Sequence, residues 1–95
     1  MTTGFEKDHP LVRVDWEDST GVRHWMGNRA VSDLTPLDCV SVGWLLRDDE
    51  KAVTLVASYD GQGEESNVDG IQCIPRSAVR KVERLRVSKR GSKTP

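Results

Sequence analysis

The chain has no run approaching the roughly 18 consecutive apolar residues that a membrane-spanning helix needs, so no helical span is expected. Its opening stretch, Met1 to Asp8, lacks a basic segment followed by an apolar one. No secretory signal is read there, and the expected location is the cytoplasm. Cysteine is sparse: Cys39 and Cys73 alone, neither with a second ligand at C-x-x-C or H-x-x-x-H spacing. That argues against a zinc site built with His9 and His24. In a reducing compartment the two thiols are expected to act as small apolar residues rather than to bridge neighbouring strands. No glycine-rich phosphate loop occurs, and neither histidine has an evident nucleophile partner, so neither catalysis nor a cofactor is expected. Aromatic residues make up only 5% of the chain, but three of the five are tryptophans: Trp16, Trp25 and Trp44.

With 95 residues, the chain has room for one domain. A domain this small has a thin core, and burial against a second copy is the natural supplement, so a homo-oligomer is expected. The formal net charge of −1 conceals a division. Residues 1–75 carry fourteen acids against six bases, whereas residues 76–95 carry eight bases against one acid. The body is acidic and the C-terminal end basic.

Val12, Val14 and Trp16 alternate with polar neighbours, a period of two that predicts a strand from residue 11 to 16. Glu17 to Gly21 is turn chemistry. Val22 to Met26 then resumes an extended pattern, so residues 11–26 are read as a hairpin. A single helical turn is placed at Ser32 to Pro36, cut short by the proline. The strongest signal is a second hairpin, Cys39 to Arg47 and Ala52 to Tyr59, rich in β-branched and aromatic residues around the turn Asp48-Asp49-Glu50-Lys51. Its first strand is apolar on both faces, as a bent central strand would be. Residues 60–70 are polar, acidic and glycine-spaced, either a solvated insertion or a binding loop. Ile71 to Ile74 reads as a short strand stopped by Pro75. A tight turn over residues 75–78 then leads into a last strand ending near Leu85. Residues 1–9 read as a flexible leader, 10–85 as the folded domain and 86–95 as a disordered basic tail.

The segment from Val42 to Leu85 resembles the Sm-like (Hfq-like) family of small, strongly bent five-stranded β-barrels. One motif is echoed by Val42-Gly43-Trp44-Leu45, then Asp48 or Asp49, Val53 and Leu55. The other is echoed by Ile74-Pro75-Arg76-Ser77-Ala78-Val79. The resemblance implies a mostly β fold with little helix, a small bent antiparallel barrel of the Sm-like or SH3-like type, with a tight turn between its last two strands. A mid-strand glycine suits such a bend, and Gly43 is expected at one. In two places the chain differs from the family. Ala52-Val53-Thr54 stands where many members have a base-recognising asparagine, and Arg76-Ser77 stands for arginine-glycine. The compact acidic body also looks like the small accessory proteins encoded by bacteriophages.

The tryptophans suit either a base-stacking platform or a thin core that needs large side chains. Trp44 is the surface candidate, because Gly43 and Leu45 occupy the face the family buries. Arg76, Arg80, Lys81 and Arg84, continued by Arg86, Lys89, Arg90 and Lys93, form a cluster whose cations would release counterions together on phosphate binding. Alternatively they balance the acidic body, which repels a polyanion elsewhere. Asp48, Asp49 and Glu50 could hold a divalent ion, but adjacent acids at a hairpin tip read as a solubilising turn. The expected function is a non-enzymatic binding module for single-stranded RNA, DNA or a nucleotide. The alternative is a protein–protein adaptor or inhibitor acting through its acidic surface, directed at a host protein if the chain is phage-encoded.

Overall fold

A computed structural model describes residues 4–61 and 65–87. The chain is mostly β. Strands β1 (Leu11–Asp18), β2 (Leu37–Asp48), β3 (Ala52–Val56), β6 (Gln72–Pro75) and β7 (Val79–Arg84) form one antiparallel sheet in the order β6-β3-β2-β1-β7. Strands β4 (Ser58–Asp60) and β5 (Asn67–Asp69) pair as a separate two-stranded sheet. The described residues also include two short helical turns, α1 (Gly4–Asp8) and α2 (Asn28–Val31), and a 3-10 turn at Arg76–Ala78.

The alternation read in β1 matches its burial: Val12 and Val14 are buried and Arg13 is exposed. They meet Val53, Leu55 and Ile74 in one cluster, against which Trp16, Leu45, Ala78, Val79 and Val82 pack. Each of these fully buried aliphatic side chains contributes about 1.5–3 kcal/mol by leaving water. Strand β2 is long enough to serve two partners. Its first part pairs with β1 as far as Leu11 opposite Trp44, and its second part pairs with β3 from Trp44 opposite Val56. The changeover falls at Gly43 and Trp44. A Cβ at Gly43 would lie 2.8 Å from the Val56 carbonyl oxygen and 3.1 Å from the Leu55 Cβ. The absence of a side chain is what allows the two strands to approach there. Register shifts between Leu45 and Arg47 and between Asp15 and Trp16 add local bending.

The edge strands β6 and β7 are consecutive in the chain, separated only by the 3-10 turn. The sheet's two edges therefore share a corner. No ladder joins them among the described residues, so the expected barrel is found as an open, bent sheet rather than a hydrogen-bonded ring. Pro75 closes β6 and has no N–H to donate.

Several local expectations are corrected. Residues 22–26 form no strand; β1 runs on to Asp18 and pairs with β2, because eight consecutive ladder partners outweigh a short local hairpin. The helical turn before β2 lies at Asn28–Val31, earlier than residues 32–36, and the Ser32 Oγ donates to the Arg29 carbonyl at 2.8 Å. The strand expected through Tyr59 breaks at Ala57, whose N–H turns to the Asp69 carbonyl at 3.0 Å. That bond starts the β4–β5 pair inside the segment read as a loop. Gln62 to Glu64 of that segment lie outside the described residues. Residues 4–8 of the leader are a helical turn that buries Phe5. Cys39 and Cys73 are free thiols on β2 and β6, which β3 separates.

Strand β3, not β2, is apolar and buried on both faces: Ala52, Val53, Leu55 and Val56 are all buried. In β2, Ser41 and Gly43 stand opposite Val14 and Val12 and share their inward face. Val40 and Val42 therefore point outward and are 56% and 55% exposed. Further along that outer face Trp44 is covered by aromatic neighbours. It meets Tyr59 edge-on at 5.6 Å between centroids, and Tyr59 stacks on Phe5 at 4.1 Å. His9 lies against Phe5 and donates from Nδ1 to the Leu45 carbonyl at 3.0 Å. The Tyr59 hydroxyl bonds the Glu6 carboxylate.

Candidate functional site

Three of the basic residues named from sequence, Arg76, Arg80 and Lys81, are engaged by the chain's own acids. Arg76 pairs with Asp48, donates from Nε to the Asp49 carbonyl at 3.0 Å, and from its backbone N–H to the Lys51 carbonyl at 3.0 Å. It fastens the 3-10 turn to the β2–β3 turn. Arg80 pairs with Glu17 of β1. Lys81 lies 3.8 Å from Glu83, and Arg13 lies 2.9 Å from Asp15. The ladder sets Arg13 opposite Glu83 and Asp15 opposite Lys81, so these four charges neutralise one another across β1 and β7. Arg84 and Arg86 are exposed and have no acidic partner among the described residues. Lys89, Arg90 and Lys93 lie outside the described residues.

The tryptophans have three different fates. Trp16 packs against the core and donates from Nε1 to the Ser41 hydroxyl at 2.9 Å. Trp44, the expected surface candidate, is half-buried against Tyr59. Trp25 is 100% exposed.

Trp25 belongs to the connection between β1 and β2, residues 19–36, which forms an arm. The Thr20 hydroxyl donates to the Thr35 carbonyl at 2.6 Å and closes the arm's base beside the last ladder pair, Asp18 and Leu37. Every arm residue but Met26 is exposed. Val22, Arg23, His24, Trp25, Met26, Val31 and Leu34 line an open groove of about 560 Å³. Arg23 and Arg29 have no acidic partner among the described residues, and Asp33 is the arm's one acid. This combination resembles the centres of protein interfaces, where tryptophan, methionine and arginine are enriched.

The sequence favours Trp44 over Trp25 as the surface tryptophan, and nothing local marks Arg23, Arg29, Val31 or Leu34. The available signal is length. A connection of this size between paired strands, with aliphatic residues and a tryptophan in it, exceeds ordinary hairpin loops.

Two acids of the β2–β3 turn, Asp48 and Asp49, act structurally, Asp48 through its pair with Arg76. Asp49 accepts through Oδ1 from the Lys51 and Ala52 N–H groups at 2.8 and 3.0 Å and through Oδ2 from Arg47 Nε at 2.6 Å. The Arg47 hydrogen bond, followed by the two backbone bonds, lowers its pKa from 3.8 to about 2. Comparison of the chain with protein-family models, curated proteins and solved structures returns no match.

Proposed function

We propose that the chain is a non-enzymatic binding module on a small bent β scaffold of the SH3-like or Sm-like type, and that its β1–β2 arm engages a protein. The scaffold reading is supported by the strand order, with β7 returning to β1 after a 3-10 turn, and by the glycine at the bend of β2. One observation carries the function: a wholly exposed Trp25 in an aliphatic groove, flanked by arginines without acidic partners. Hot spots of protein interfaces have this composition. A photoreactive residue in place of Trp25 is expected to crosslink to protein, whereas the same residue at Lys81 is not. Equal, low crosslinking at both positions would remove the reading.

Nucleic-acid binding is the second reading, and Arg84 and Arg86 favour it, because they lead without acidic partners into a sequence containing Lys89, Arg90 and Lys93. It ranks second because Arg76, Arg80 and Lys81 are paired within the chain. A phosphate would have to displace those acids.

A further inference from the structure

We infer that the protein the arm engages is a second copy of this chain, with each arm lying across the outer face of the other copy's β2; this rests on the arm being a protein-docking element. Two uncovered surfaces on the same chain complement each other. The first is the arm, apolar through Val22, Trp25, Val31 and Leu34 and cationic through Arg23 and Arg29. The second is the outer face of β2, where Val40 and Val42 are more than half exposed and Asp38 adjoins them on the same face.

The charge at that second surface is unbalanced in a specific way. Asp38 stands directly opposite Glu17 on that outer face. Like charges directly opposite each other destabilise a sheet. Arg80 neutralises Glu17, but no cation among the described residues pairs with Asp38. An arginine arriving from another copy would supply the missing charge as its neighbouring aliphatics cover Val40 and Val42. Because one chain carries both halves of the contact, a two-fold axis satisfies both at once. An acidic peptide lying across both surfaces would match the arm's arginines but leave Asp38 facing like charge. A nucleic acid would do the same.

The test is sedimentation equilibrium of the full chain over a concentration series, with circular dichroism to check folding. The wild type is expected to form a dimer. Trp25→Ala and Val40→Lys, on opposite sides of the interface, should each weaken it about thirtyfold or more, as loss of a central anchor does. Arg29→Glu and Asp38→Arg should each weaken it, and combining them in one chain should restore much of the affinity. A wild-type chain that stays monomeric overturns the inference, as does a dimer that neither Trp25→Ala nor Val40→Lys affects. A photoreactive residue at position 25 separates self-association from docking in general. Crosslinks to other proteins alone, with the purified chain monomeric, would overturn the second-copy inference and leave the arm as a docking element. No protein crosslink at all would overturn both.

Discussion

Gly43 lies beneath the backbone of Val56: a Cβ there would sit 2.8 Å from the Val56 carbonyl oxygen, closer than side chains and backbone approach in practice. The two residues meet where β2 leaves β1 and takes up β3. Backbone cannot yield as a flexible side-chain tip can. Gly43→Val should therefore destabilise the fold by about 1–3 kcal/mol through overpacking. In a domain of this size each kcal/mol lowers the melting temperature by about 4–8 °C, which a thermal melt will register. An unchanged melt would place the bend elsewhere.

Gly70 makes a second, distinct demand. Its φ is +67°, and a Cβ would lie 2.7 Å from the Ala57 Cβ. Gly70→Ala incurs both the left-handed backbone cost, about 1–2 kcal/mol, and that clash. Chemical denaturation should show a lower midpoint with the same slope. Since Ala57 N–H bonds to the carbonyls of Asp69 and Gly70, faster amide exchange at Ala57 is the local signature.

Phe5 should anchor α1. It is 2% exposed and stacks on Tyr59. Phe5→Ala removes a buried ring at a cost of about 3–5 kcal/mol. It also removes the ring stacked on Tyr59 and so loosens Tyr59, against which Trp44 packs edge-on. A red-shifted tryptophan emission together with reduced stability is the expected result. Reduced stability with unchanged emission would mean that Trp44 is held by other neighbours.

Asp49 predicts acid sensitivity. Its pKa is depressed in the fold, so its contribution to stability is complete above the ordinary value of 3.8 and disappears as pH falls toward about 2. Wild type should therefore be more stable than Asp49→Asn above pH 4, with the difference narrowing between pH 4 and 2. A constant difference across that window would show that the carboxylate charge is not what holds the turn.

The basic C-terminal end gives a separate prediction. If it binds single-stranded RNA, removing residues 88–95 or changing Arg84 and Arg86 to alanine should lower affinity. The log–log salt slope should fall by about 0.7 for each phosphate that is no longer neutralised. Alanine at Arg80 should instead act mainly on stability, through Glu17. Equal affinity and slope for full-length and truncated chains would end the nucleic-acid reading.

The sequence by itself determined what depends on near neighbours. The alternation of Val12, Val14 and Trp16, the β2–β3 hairpin around Asp48 to Lys51, the tight turn after Pro75 and the close approach at Gly43 are all visible there. Each follows from side-chain period or local backbone sterics, which act within a few residues. Tertiary structure decided the rest. Val22 to Met26 has the same extended pattern as a strand, yet Asp18 finds Leu37 as its ladder partner and the intervening residues are left as an arm. The three tryptophans separate into a partly buried position packed on the core, a half-covered one and a wholly exposed one, because only the assembled sheet sets which face of each is covered. The paired state of Arg76 and Arg80 depends on Asp48 and Glu17, far away in the chain. No local periodicity encodes such partners, because ion pairs across a sheet form only after the strands have chosen their order.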